Sequence, residues 1–215
     1  MTTAAEFLLG LLCAYLAGSV NFAILLFRLF GKHDPRTRFS GNAGVTNVYR
    51  QAGWLLALLV LVLDMGRAVV VALLAGHLWA DALVPWAGLA LILGNHFPCF
   101  HGWRGGKGVA NYLGFYALLL PLGTGLALAV YLMVYALTRI PILGSFGILV
   151  TLTGFGWVRW VHEPSALAAV LLTGVSIVWF HRSNIAVLWQ MSRTHPPSPA
   201  GDCASTAGRR PDSRR

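Results

Sequence analysis

The sequence predicts an all-α polytopic membrane protein of seven transmembrane helices, with its N-terminus outside and its C-terminus in the cytoplasm. Three observations carry that expectation. The 215 residues are 57% hydrophobic and only 11% charged, where a soluble domain carries about 25% charged residues. The depletion runs along the whole chain, with a mean hydropathy of +0.67. The apolar residues fall into successive spans whose connecting segments carry basic residues mainly on alternate sides, as the positive-inside rule requires.

The spans run over 4–30, 52–79, 83–100, 108–121, 123–138, 142–160 and 164–182. A membrane helix needs about 20 apolar residues, so the fourth and fifth are short. Pro121, Gly123 and Gly125 supply a break between them. Charge supports keeping them separate. With seven helices, Arg28, Lys32, Arg36, Arg38, Arg50, Arg104, Lys107, Arg139, Arg182 and the arginine-rich tail share one side. The other side holds Asp81, Arg159, His162 and Glu163. Merging the two spans would put Arg139 and the tail outside. The first span has Glu6 and no basic flank, so it reads as a retained helix rather than a cleaved signal. Residues 1–191 form a single transmembrane domain in this reading. Residues 192–215, rich in Pro, Ser and Arg, form a disordered basic cytoplasmic tail.

The net charge of +9 resides in loops and tail, which fits a membrane surface and argues against nucleic-acid binding. Cys13, Cys99 and Cys203 show no paired spacing, and His96 and His101 lack metal-ligand spacing. Neither a disulfide framework nor a metal site is expected.

Three polar islands interrupt the apolar chain. The first is Ser40-Gly41-Asn42-Ala43-Gly44-Val45-Thr46-Asn47-Val48-Tyr49-Arg50. Its glycine amides, hydroxyls, asparagine amides and closing cation suit a phosphate beside a helix start. A turn-rich connection would use many of the same residues. The second is Gly102-Trp103-Arg104-Gly105-Gly106-Lys107-Gly108-Val109-Ala110. It fails the P-loop pattern, because three residues separate Gly102 from Gly106 and glycine follows the lysine. It keeps a flexible cationic loop with Lys107 as a point charge for phosphate. Simple anchoring by Arg104 and Lys107 is the alternative. The third, His181-Arg182-Ser183-Asn184-Ile185, spaces His181 and Asn184 as neighbours on one helix face, a catalytic arrangement. Asp64 and Arg67, three apart inside the second span, are either functional intramembrane charges or a buried structural pair. Asn21, Asn95 and His96 are weaker polar intrusions.

Taken together, these residues resemble the bacterial integral-membrane acyl-phosphate–glycerol-3-phosphate acyltransferase family. The resemblance rests on Gly18-Ser19, Asp34-Pro35-Arg36, the run from Ser40 to Arg50, Asp64, and Gly94 with Phe97-Pro98 and Phe100. It continues through Gly105-Gly106-Lys107-Gly108-Val109-Ala110 and His181-x-x-Asn184-Ile185. These occur in family order across nearly the whole chain up to the tail. The chain departs from the family pattern at Phe39, Arg67, Asn95-His96, Arg104, Asn111, Ile142 and Val187.

The resemblance implies a seven-helix fold in the bacterial inner membrane with the active site at its cytoplasmic face. It implies transfer of a fatty acyl group from acyl phosphate to the 1-hydroxyl of glycerol 3-phosphate, the first step of phospholipid synthesis, with no cofactor. The expected partners are the two substrates, membrane lipid, and the soluble enzyme that makes acyl phosphate. In this reading Ser40, Asn42, Thr46, Asn47 and the amides of Gly41 and Gly44 hold one phosphate. Gly105, Gly106 and Gly108 shape the loop that presents Lys107, which joins Arg50 in neutralising phosphate charge. His181 positions or deprotonates the hydroxyl, and Asn184 orients the glycerol. Two other readings stand beside it: a non-catalytic or altered-substrate paralogue that binds a lipid phosphate, and a small transporter of a phosphorylated solute.

Overall fold

The computed structural model describes residues 3–194, and all of its regular structure is helical. In chain order the helices are α1 (Ala4–Ser19), α2 (Phe22–Leu29), α3 (Val45–Leu78), α4 (Val84–His96) and α5 (Val109–Leu119). They continue as α6 (Pro121–Thr138), α7 (Pro141–Trp160), α8 (Pro164–Phe180) and α9 (Arg182–Thr194). One structural unit covers Met1–Arg182 and a second begins at Ser183. The expected basic tail lies, from residue 195 onward, outside the described residues.

Four stretches are long and apolar enough to cross a membrane: Val45–Leu78, Asp81–His101, Pro121–Thr138 and Pro141–Trp160. The bent pair α1–α2, with 40° between its halves, makes a fifth. α5 and α8 are apolar but shorter, at 11 and 17 residues. The outward faces carry Leu8, Leu59, Val62, Leu73, Leu132, Val150 and Val175, all well exposed. An apolar surface this extensive suits hydrocarbon rather than water.

Local chemistry sets the breaks. Asn21 caps α2 by accepting the Ile24 amide at 3.1 Å. Gly53, at φ 82°, interrupts α3 and leaves Val45–Ala52 as a separate short helical segment. The second half of the first polar island is therefore helix, not loop. α4 ends at His96 because Pro98 disfavours helical backbone at Phe97. The break between α5 and α6 falls at Leu120–Pro121, with proline in the first helical turn where its missing N–H costs nothing. Gly123 serves packing instead, since a side chain there would strike Phe155.

In the first unit α1 packs on α4, α3 on α5, and α6 on α7, while α8 lies against α4 and α7. The α1–α4 contact is close because both partners present small residues. A Cβ on Gly18 would meet the Leu91 carbonyl, and one on Gly94 would meet the Tyr15 carbonyl. Without hydrophobic driving force between helices in lipid, such backbone approach is what holds them. Leu91, Ile92, Phe115, Leu152 and Val170 fill the core.

The kink between α1 and α2 exposes backbone carbonyls at membrane depth, where they must find donors. Arg67 supplies them. Its Nη1 donates to the carbonyls of Ala17 and Gly18 at 3.2 and 3.3 Å, and to that of Val20. Its Nη2 donates to Asp64 Oδ1 at 3.0 Å, to Asn111 Oδ1 at 2.6 Å and, at the limit of range, to Asn95 Oδ1 at 3.4 Å. Of the two readings of Asp64–Arg67, these bonds describe the structural pair. It joins the α1–α2 break to α3, α4 and α5.

Gly94→Ala is expected to lower stability in detergent by about 1–3 kcal/mol through overpacking against backbone. Gly66→Ala, with open space around it, is expected to be neutral or to gain up to about 1 kcal/mol from helix propensity. Thermal unfolding checks both, and an unchanged midpoint in Gly94→Ala would contradict the close α1–α4 contact.

Candidate active site

The first two islands are folded onto one another. Asp34 begins the turn Pro35–Thr37 by accepting the Arg36 amide at 2.9 Å. The same carboxylate grips the Arg36 guanidinium, with Nε to Oδ1 at 2.9 Å and Nη2 to Oδ2 at 2.6 Å. This bidentate pair holds the Asp34 carboxyl below the usual carboxylate range and raises Arg36. The remaining Nη1 reaches 65 residues along the chain to the His101 carbonyl at 2.5 Å, and to that of Arg104 at 2.7 Å. Arg36 is thus a clasp between the loops. Its role went unassigned at the sequence level, where only the Asp-x-Arg spacing hinted at it.

Asn47 holds the first island closed. Its Nδ2 donates to the carbonyls of Pro35 and Asn42, both at 2.8 Å, and to that of Arg38 at 3.3 Å. Gln51 Nε2 joins it on Pro35 at 2.8 Å. These bonds make Asn47 a loop organiser, while its buried Oδ1 has no partner among the described residues. Ser40, Gly41, Thr46 and Arg50 are exposed, and Asn42 and Gly44 are half-buried. Phe39 adopts φ 53°, a left-handed conformation that glycine takes freely and a large side chain seldom does.

The second island is stitched to the end of α4. Gly105 N donates to the His96 carbonyl at 3.0 Å and Gly106 N to the Asn95 carbonyl at 2.9 Å. Glycine is required here because a Cβ on Gly105 would overlap the Asn95 carbonyl, and one on Gly106 would come within 3.0 Å of the Ala43 carbonyl. That same closeness lets Ala43 N reach the Gly105 carbonyl at 3.4 Å. Gly108, at φ 86°, then turns the chain into α5.

Two helix N-termini consequently meet beside one lysine. α3 begins after Gly44 and α5 after Gly108, and neither has a side-chain cap. Their first amides therefore offer donors, and their dipoles favour negative charge. Lys107 stands between the Ala43–Gly105 contact and the start of α5. It is half-buried, and burial lowers its pKa from 10.5 to about 8. A partly desolvated cation beside two uncapped helix starts makes a locally electropositive environment, of the kind that favours anions.

The third island differs from its expected form. α8 ends at Phe180, His181 caps it at φ −93° and ψ 0°, and α9 starts at Arg182. His181 and Asn184 do not share a helix, since His181 follows the end of α8 and Asn184 lies on α9. Asn184 belongs to the second unit, on α9. His181 is buried, with Nδ1 on the Ile177 carbonyl at 2.8 Å. A carbonyl only accepts, so Nδ1 carries the proton and Nε2 is the free basic nitrogen of the neutral ring. Lys107 and His96 lie near enough to His181 to interact with it electrostatically. The fold thus gathers Lys107, His181, the glycines of the second island and the closed first island at one end of the first unit.

An apolar crevice of about 910 Å³ lies elsewhere, between α1, α3 and α4, lined by Glu6, Cys13, Leu74, Leu78 and Trp79. Arg67 closes its inner end. It occupies the half of the bundle away from the islands and contains none of their residues.

Fold and site together define an integral-membrane helical protein in which two interhelical loops are clasped to one another beside Lys107. The family profile described as glycerol-3-phosphate acyltransferase matches residues 8–191, and this chain belongs to that family. A glycerol-3-phosphate acyltransferase of Pseudomonas aeruginosa (strain LESB58) is 38% identical over 183 residues, 85% of this chain and 95% of the relative. One from Pseudomonas syringae pv. syringae (strain B728a) is 42% identical over 174 residues, 80% of this chain and 88% of that one. The crystal structure of PlsY (YgiH), an integral membrane glycerol 3-phosphate acyltransferase, in its glycerol 3-phosphate form, superposes with a TM-score of 0.80. It is 31% identical and covers 86% of this chain and 93% of its own. A lysophosphatidic acid form of the same protein superposes at 0.78 with 30% identity.

Lys107 is expected to titrate near pH 8. Competitive acetylation across pH, read by peptide mass spectrometry, measures this directly. A midpoint at the ordinary lysine value would show that the loop leaves the amine in water.

Proposed function

We propose that this chain transfers a fatty acyl group from acyl phosphate to the 1-hydroxyl of glycerol 3-phosphate, releasing 1-acylglycerol 3-phosphate and inorganic phosphate. The observation that carries the reading is the meeting of two uncapped helix N-termini at Lys107, next to a buried histidine whose Nε2 is unprotonated. Relatives named for glycerol-3-phosphate acylation, and a solved relative in substrate and product forms, support it. Membership of that family favours an enzyme over a transporter or a non-catalytic paralogue.

The chemistry asks little covalent work of the protein. The hydroxyl oxygen attacks the acyl carbon, the bond from that carbon to the phosphate oxygen breaks, and phosphate leaves as an anion. Bringing two anionic substrates together and stabilising the departing charge supplies most of the acceleration. Lys107 and the amides at the starts of α3 and α5 carry out that stabilisation in this proposal. Arg50, Ser40, Asn42 and Thr46 line its exposed rim, with Gly41 and Gly44 shaping the loop. His181 Nε2 takes the hydroxyl proton, or holds the hydroxyl while a phosphate oxygen takes it. The Asp64–Arg67 pair supports the site from within the bundle. A seven-span arrangement, with the islands at the cytoplasmic face of the inner membrane, accords with the basic residues of the loops.

Purified protein in detergent is expected to form lysophosphatidic acid from acyl phosphate and glycerol 3-phosphate, and not from acyl-CoA. Lys107→Ala and Arg50→Ala are each expected to lower turnover by roughly 10- to 150-fold, the worth of a charge-assisted contact. His181→Ala is expected to cost on the order of 10²- to 10⁴-fold, whereas Arg104→Ala should be mild. Full activity in both Lys107→Ala and His181→Ala, at normal expression, would place the site elsewhere.

For orientation, single cysteines placed in residues 31–44 are expected to react only from the cytoplasmic side and those at 80–85 only from outside. Impermeant maleimide labelling of intact cells measures this. Labelling of a cysteine at position 139 from outside would refute the seven-span count.

A further inference from the structure

His96 takes no part in the chemistry above, yet it contacts the residue before Lys107 and the residue before His181. It is the last residue of α4. Its Nδ1 lies 2.8 Å from the Gly106 carbonyl, one residue before Lys107. Since that carbonyl only accepts, Nδ1 is the donor. Its own carbonyl accepts the Gly105 amide at 3.0 Å. Its ring stacks on Phe180, one residue before His181, with centroids 3.5 Å apart and planes 13° from parallel. Phe97 closes the cluster edge-on, 4.5 Å from the His96 ring and 5.7 Å from Phe180.

We propose that His96 is a positioning residue that ties the Lys107 loop to the His181 turn and so fixes the spacing between the phosphate cation and the base. The catalytic part of this rests on the acyl-transfer reading. The loop itself is rich in glycine and has little stiffness of its own. Two hydrogen bonds to a single residue of α4 give it a fixed anchor, and the ring then carries that anchor onto α8. A histidine meets both needs at once, because it combines a donor at the Nδ1 position with a flat ring. Phenylalanine keeps the ring and loses the donor, while asparagine keeps a donor near Nδ1 and loses the ring.

The test uses the full-length protein in detergent with His96→Phe and His96→Asn. Hydrogen–deuterium exchange of residues 102–108 is expected to speed up in His96→Phe and to stay near wild type in His96→Asn. Both variants should lose kcat by about 10- to 100-fold, the scale of a small misplacement of reacting groups. Both should keep the wild-type pH midpoint of kcat. KM for glycerol 3-phosphate should rise mainly in His96→Phe. Unchanged exchange in a folded His96→Phe, or wild-type kcat in His96→Asn, overturns the proposal. Should His96→Phe fail to fold, the kcat of His96→Asn decides alone. Loss of the pH midpoint in His96→Asn would make His96 the base and overturn the positioning role. If the wild-type protein itself transfers no acyl group, the acyl-transfer reading falls, and the exchange measurement still decides whether His96 anchors the loop.

Discussion

The guanidinium of Arg67 is the constraint on which the other features hang. A kink between α1 and α2 leaves carbonyls without helical partners deep in an apolar bundle, and such groups cost several kcal/mol each in hydrocarbon. Arg67 reaches those of Ala17, Gly18 and Val20, and Asp64 balances its charge. The same group meets Asn111 at the start of α5 and approaches Asn95 near the end of α4. A buried ion pair is weak evidence for stability by itself, and its best-attested role is to select one arrangement over others. Here the arrangement selected is the one that brings the end of α4 and the start of α5 together, which are the two ends of the Lys107 loop.

From that frame the site follows by short steps. The loop after α4 returns along Asn95 and His96, and two glycines let it lie flat on backbone. The loop before α3 is drawn onto it by Arg36 and closed by Asn47. Both helices that emerge start without side-chain caps, which leaves their first amides without side-chain acceptors. The strain at Phe39 belongs to this economy. A residue pushed into left-handed backbone persists only where surrounding bonds over-determine it, and the Arg36 and Asn47 contacts on either side do so.

Several departures from the family pattern gain meaning through contact. Arg67, Asn95 and Asn111 differ from it singly in the sequence but converge on one another in space. His96, one place later than the family's histidine, finds the Gly106 carbonyl and the face of Phe180. Phe39 stands in for a glycine and adopts a glycine-like φ. Nothing in the structure explains Ile142, which is buried in the first turn of α7.

The helical membrane character was legible from charge depletion together with apolar spans of helix-crossing length, because hydrocarbon admits few ways to satisfy a backbone. The islands were legible for the same reason, since glycine, asparagine and lysine stand out in an apolar chain. Helix ends were partly legible: Pro98 and Pro121 announce themselves, whereas the left-handed turn at Gly53 shows only in the fold. The pairing of His181 with Asn184 on one face assumed a continuous helix, whereas α8 ends at Phe180 and Asn184 lies on α9. What only tertiary structure decided is which polar groups are tied into the scaffold by hydrogen bonds and which are not, among the described residues. Asn47 and Lys107 look alike in sequence as polar residues of glycine-rich loops. One donates to three carbonyls and the other is half-buried beside two helix starts, because hydrogen-bond satisfaction depends on which groups the fold brings together.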